Sequence, residues 1–154
     1  VIKNFNQLEE LRINDISSTN LNALSACKNL KKLTIDYDSY NENKMPFDFN
    51  LLKNCNSLEE LYISDFKISD SKALLSCKKL KELSLKFDQR DKTEFDFNML
   101  KNCDSLETLT VTGIESYNLE VKITDFNSLN GLKNLKSINV GGVNLKNSQS
   151  VFIN

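Results

Sequence analysis

Histidine and tryptophan are absent from this 154-residue chain, glycine occurs four times, proline once, and arginine only at positions 12 and 90. Without histidine the commonest general base is missing, and with it every Ser-His or Cys-His nucleophile pair. The scarce glycines form no phosphate-cradling loop, because the one adjacent pair, Gly141 and Gly142, sits in no GxGxxG or GK[ST] setting. A charge excess of either sign is lacking too. Lys+Arg of 20 stand against Asp+Glu of 21, interleaved along the chain, so no basic stripe exists to hold phosphates. Nucleic acid and anionic membrane are therefore poor partners. No apolar run approaches the roughly 18 residues that cross a bilayer, which excludes insertion as a helix. Acidic neighbours such as Glu9-Glu10 and Glu59-Glu60 fall on opposite faces of a strand, so they make no catalytic pair. No enzyme activity, cofactor or metal is expected.

What is present is a repeat. The pattern LxxLxL recurs from Leu8, Leu30, Leu58, Leu80, Leu106 and Leu135, separated by 22, 28, 22, 26 and 29 residues. Within each unit an alternation such as Leu61-Tyr62-Ile63 has the period of a half-buried strand. Strands are expected near 10–14, 32–36, 60–64, 82–86, 108–112 and 137–141. Each is followed by apolar residues at spacings of about three, which suit a short helical or 3₁₀ return.

Six units in register, covering essentially the whole chain, resemble the leucine-rich-repeat family. The resemblance implies an α/β right-handed solenoid of about six coils, with a concave parallel sheet and short helices or 3₁₀ turns on the convex side. The place after the strand where that family usually carries asparagine is held by Ile16, Asp38, Phe66, Asp88, Ile114 and Val143, so no asparagine ladder is expected there. The chain is expected to be one repeat domain over 1–154, and a piece of a longer protein.

Register also assigns the cysteines. Cys27, Cys55, Cys77 and Cys103 each stand three residues before a strand's first Leu, a place held by Phe5 and Leu132 in the other units. A position that accepts Cys, Leu and Phe is an inward one, where Cys acts as a small hydrophobe. Stacked one per coil and without a CxxC, four sulfurs cannot close a zinc tetrahedron, and parallel side chains suit disulfides poorly. Free thiols are expected. The "CxxLxxLxL" units are similar to the cysteine-containing repeats of F-box proteins, which implies a reducing, intracellular setting.

The segments "FDFNLLKNC" (47–55) and "FDFNMLKNC" (95–103) yield to the same alignment. Seven residues before each Cys-type position stand Asn20, Asp48, Asp70, Asp96 and Asp125, all preferred N-caps. Phe47 with Leu52, and Phe95 with Leu100, have the spacing of a hydrophobic staple.

The face of the sheet is left for function. Its three outward columns read Glu10, Lys32, Glu60, Glu82, Thr108, Ser137; then Arg12, Thr34, Tyr62, Ser84, Thr110, Asn139; then Asn14, Asp36, Ser64, Lys86, Thr112, Gly141. Tyr and Arg are the types most enriched at binding hot spots. Candidate contacts are Arg12, Lys32, Asp36, Glu60, Tyr62, Glu82 and Lys86, with Tyr37, Tyr40 and Phe87 at the rim. The longer units insert polar loops at 37–46 and 87–94, and a third insertion, 115–124, alternates Leu119, Val121 and Ile123 as an extra convex strand would. The expected function is a non-catalytic protein-binding module with another protein as partner. The alternative is an extracellular adhesin or surface receptor of the internalin kind, binding protein or glycan. The absence of any Asn-x-Ser/Thr acceptor leans toward the first.

Overall fold

Six short strands, each placed by the alternation of apolar and polar residues, lie side by side in chain order. The computed structural model describes residues 5–16, 21–38, 46–66, 68–70, 74, 77–87, 94–113, 122–124 and 126–141. The main sheet contains β1 (Glu10–Ile16), β2 (Lys32–Tyr37), β4 (Glu60–Phe66), β6 (Glu82–Phe87), β8 (Thr108–Gly113) and β10 (Ser137–Gly141), in the order β1-β2-β4-β6-β8-β10, every pair parallel. Parallel neighbours require a return over the outside of the sheet, so each coil must bring its chain back before the next strand.

The return is built from three-residue steps. Leu30 donates its backbone N–H to Cys27, and Cys27 to Leu24; the same pair of bonds joins Leu52, Cys55 and Leu58, then Leu74, Cys77 and Leu80, then Leu100, Cys103 and Leu106, then Leu129, Leu132 and Leu135. Bonds from residue i+3 to residue i put every third side chain on one side, which is why the apolar residues recur at that spacing. Short 3₁₀ turns at Phe49–Leu52 and Phe97–Leu100 precede these steps. Asp48 and Asp96 cap them, each accepting the N–H of the residue two further on, Asn50 or Asn98, at 2.9 Å. Asp48→Ala and Asp96→Ala are each expected to lower stability by about 1 kcal/mol, read from urea unfolding. The expected cap positions Asn20 and Asp125 lie outside the described residues, as do residues 71–73, which follow the expected cap Asp70.

The convex side also carries strands that the helical spacing hides. Phe47–Asp48 (β3) pairs in parallel with Ile68–Asp70 (β5), and Glu94–Asp96 (β7) with Lys122–Thr124 (β9). Only the end of the 115–124 insertion is thus seen as strand; 114–121 lie outside the described residues.

Between the layers runs an apolar core. Leu30, Leu33, Ile35, Leu58, Leu61, Ile63, Leu80, Leu83, Leu85, Leu106, Leu109 and Val111 are buried, and the corresponding residues of the two end coils, such as Leu11, Ile13, Leu135 and Ile138, are half-buried. On one side of this core the phenylalanines form a continuous stack. Ring centroids lie 4.9 Å apart for Phe47–Phe49, 6.1 Å for Phe49–Phe66, 5.1 Å for Phe66–Phe87, 5.6 Å for Phe87–Phe95 and 5.5 Å for Phe95–Phe97. The ring neighbour of Phe47 is therefore the next Phe of its own motif.

A bulge brings Phe66 into that stack. Register shifts by one residue between Ser64 and Phe66, so that Phe66 aligns with Phe87, and between Ile13 and Ile16, so that Ile16 aligns with Tyr37. The extra residues, Asp15 and Asp65, have φ of 56° and 53°. Asp is among the few residues that tolerate this left-handed conformation. The equivalence drawn from the sequence, Phe66 with Asp88 and Ile16 with Asp38, is accordingly off by one, because a simple alternation cannot count a bulged residue.

Candidate functional site

In-register pairing turns the sequence columns into lanes across the sheet. Glu10, Lys32, Glu60, Glu82, Thr108 and Ser137 are direct neighbours in turn, as are Arg12, Thr34, Tyr62, Ser84, Thr110 and Asn139. Adjacent strands stand about 4.8 Å apart, so neighbouring side chains of a lane are within mutual reach. From Asp36 onward the third lane, Asp36, Ser64, Lys86, Thr112 and Gly141, is equally regular. Asn14 is displaced from it by the bulge.

Four of the candidate residues form one network. Lys32 Nζ lies 2.5 Å from a Glu60 carboxylate oxygen and 6.0 Å from the centre of the Tyr62 ring. The Tyr62 hydroxyl donates to Glu82 Oε2 at 2.7 Å. Hydrogen bonding to Glu60 holds the Lys32 ammonium above its ordinary pKa. The bond to Glu82, with partial burial, raises that of Tyr62. Beside this network Ser64 Oγ donates to Asp36 Oδ1. Arg12 is exposed and its Nε donates to Asn14 Oδ1 at 3.3 Å, while Lys86 is exposed on the far side of the sheet face.

Two rim candidates are corrected. Tyr37 is only 7% exposed and Phe87 is fully buried, the latter in ring contact with Phe66 and Phe95. Each ends its strand on the inward side, where the alternation that starts at Leu33 or Leu83 places it. Burial pushes the Tyr37 hydroxyl up to about 12. Neither ring is available to a partner from the sheet face. Tyr40 and most of the two polar loops, 39–45 and 88–93, lie outside the described residues.

A feature missed from the sequence borders the face. The residue after each unit's first Leu reads Glu9, Lys31, Glu59, Lys81, Glu107, Lys136, and these pair as Lys31–Glu9 at 2.9 Å, Lys81–Glu59 at 2.7 Å and Lys136–Glu107 at 2.7 Å. Hydrogen bonds from the lysines lower the pKa of Glu59 and Glu107, and the bond to Glu59 raises that of Lys81. Exposed pairs add little stability. Their alternation pairs opposite charges on adjacent coils and leaves this edge neutral. The strict Glu-Lys order was the available signal.

Coil-to-coil bonds also run through the turns. Asn29, Asn54 and Asn134 donate their side-chain N–H groups to the carbonyls of Asn6, Ser25 and Asp104 one coil back, at 2.6, 3.1 and 2.6 Å. Cys55 and Cys103 donate S–H to Leu24 and Leu74 of the preceding coil, both at 3.5 Å. These cysteines do more than fill space: each gives a second, weak donor to a carbonyl that already accepts a backbone N–H within its own turn, Leu24 from Cys27 and Leu74 from Cys77. All four cysteines are free and buried. Among the described residues no group of three or more Cys, Asp or Glu is placed to hold a metal ion. No helix of the described residues is long and apolar enough to cross a membrane.

No protein-family model matches the sequence, and no curated protein matches it. Among solved structures, an internalin (inlF) from Listeria monocytogenes superposes with a TM-score of 0.66 at 22% identity over 90% of this chain. The chain spans 37% of that internalin's length. An internalin C2 (inlC2) from the same strain matches 88% of this chain and 82% of its own length at 16% identity, with a TM-score of 0.35, so the fold comparison rests on the first. The parallel six-stranded sheet, its 3₁₀ returns and that superposition together make the chain a leucine-rich-repeat solenoid.

Proposed function

We propose that the chain is a non-catalytic module that binds another protein through the exposed face of its six-stranded sheet, centred on Tyr62. The carrying observation is the network Lys32–Glu60–Tyr62–Glu82, in which a half-buried aromatic ring is held in place by a hydrogen bond among charged groups on three adjoining strands. Tyrosine fixed in this way offers a large contact area at little entropic cost. Arg12, Asp36 and Lys86 extend the surface. Free buried thiols fit an intracellular setting.

The second reading, an extracellular adhesin taking a protein or a glycan, draws on the overlap with the internalin fold and on the uncharged hydroxyl and amide groups of β8 and β10, Thr108, Thr110, Thr112, Ser137 and Asn139.

Affinity capture from the source cells with mass spectrometry, run in parallel on wild type and Tyr62→Ala, tests the proposal. The expected result is a protein retained by wild type and at least tenfold depleted on Tyr62→Ala, with thermal stability unchanged. Equal retention by both would overturn the assignment to this face. Binding of wild type to a glycan array, with no protein retained, would favour the second reading.

A further inference from the structure

The Tyr62 patch already holds one cation. The Lys32 ammonium sits 2.5 Å from a Glu60 carboxylate oxygen and 6.0 Å from the Tyr62 ring centre, while the hydroxyl of that ring is spent on Glu82. A ring face attracts a cation electrostatically, most strongly with a carboxylate alongside to complete the charge. Lys32 is itself 40% exposed at the side chain and ends a flexible stem, so an incoming group can displace it at little cost. Once it swings away, a ring face remains with Glu60 on the same strand, Glu82 on the next, and Glu10 farther along the lane of these two carboxylates. Guanidinium suits that vacancy better than ammonium, being planar, able to stack on the ring and to bond a carboxylate with two N–H groups at once.

An anionic partner finds nothing comparable. Arg12, Lys32 and Lys86 occupy three different lanes on β1, β2 and β6, and Lys32 is already neutralised by Glu60. The basic groups do not converge, whereas the acidic ones flank a ring.

We propose that the Tyr62 patch receives an arginine or lysine side chain of the protein partner, and that Lys32 occupies this place in the free protein. This rests on reading the sheet face as the interaction surface, and it adds the chemistry of what enters.

A fluorescein-labelled hexa-arginine peptide, titrated by fluorescence anisotropy into the full chain at low salt, is the probe. Tyr62→Ala is expected to weaken binding about fivefold, and Tyr62→Phe to stay within twofold of wild type, since the ring and not the hydroxyl meets the cation. Lys32→Ala is expected to tighten binding several-fold. Lys81→Ala, which removes the same charge from the Glu59 pair at the edge of the sheet, serves as the control and is expected to change binding less than twofold. Equal tightening by Lys32→Ala and Lys81→Ala would reduce the effect to net charge and overturn the proposal, as would indifference to Tyr62→Ala. If the peptide ignores Tyr62 while the captured protein still depends on it, the interaction face stands and the cation assignment falls. Loss of Tyr62 dependence in both assays removes the face itself.

Discussion

Phe66→Ala is expected to destabilise the protein by about 3–5 kcal/mol, the range for emptying a buried aromatic site. Phe66 is fully buried and is the link in the ring stack that joins Phe49 to Phe87, across two coils. In a solenoid each coil touches only its neighbours, so a cavity in the middle of the stack weakens two interfaces at once. Whole-domain stability is typically about 5–15 kcal/mol, so this one change removes a large share of it. Phe66→Leu, which keeps most of the volume, should cost about 1 kcal/mol. The contrast with Tyr62→Ala is informative, because that residue lies on the opposite face of the sheet and its truncation should barely move the urea midpoint. A loss below 1 kcal/mol for Phe66→Ala would mean that the ring stack does not hold the coils together.

Alkaline pH should unfold the protein through its thiols. Burial, reinforced by neighbouring thiols, pushes Cys55 and Cys103 from 9.0 up to about 12. The sign follows from linkage: between these values the unfolded chain has released the thiol protons and the folded chain has kept them, so the unfolded state binds fewer protons and stability falls as pH rises. Stability from these groups is whole below pH 9 and is lost progressively toward about 12. Each thiol contributes a slope of about 1 kcal/mol per pH unit in that window. Tyr37, raised from 10.0 to about 12, adds to the fall in its upper part. A series of urea titrations from pH 8 to 11 measures it. The Cys55→Ala, Cys103→Ala double variant should start less stable at pH 8 but show a clearly flatter decline above pH 9. Identical slopes in the two proteins would refute the burial of these thiols. Consistent with the same burial, maleimide should label neither cysteine in the folded protein at pH 7.5, and both after unfolding, since the thiolate is the reactive form.

How much of this could be read from the chain alone depends on whether a local period carried it. Leu at the first and fourth positions and the alternation that follows mark the strands, because inward and outward residues must alternate wherever one face is buried. The cysteine column and the caps at Asp48 and Asp96 were equally legible, since each recurs at a fixed distance from the strand. What the period could not carry was a single added residue. Asp15 and Asp65 each insert one by adopting positive φ, and that shift decides whether Ile16 and Phe66 align with Tyr37 and Phe87. Tyr37 and Phe87 read as rim contacts because polar loops follow them in sequence, although their own strand parity points inward. The convex strands at Phe47–Asp48 and Glu94–Asp96 were hidden because two or three residues are too short to show an alternation. For the site, the lanes were legible and the pairing was not. Which of its neighbours Lys32 turns toward, Glu60 rather than Glu10, is decided by side-chain geometry.

The central claim is that the exposed face of the sheet, and not the convex returns, meets the partner. Site-specific photocrosslinking in the source cells addresses it directly, with a photoreactive phenylalanine placed at Tyr62 or Thr110 on the sheet face, and at Asn50 or Asn102 on the returns. All four positions are solvent-accessible to differing degrees, and none belongs to the apolar core. The account predicts one discrete crosslinked protein from positions 62 and 110 and none from 50 and 102; the same product from 50 and 102, with 62 and 110 silent, would contradict it.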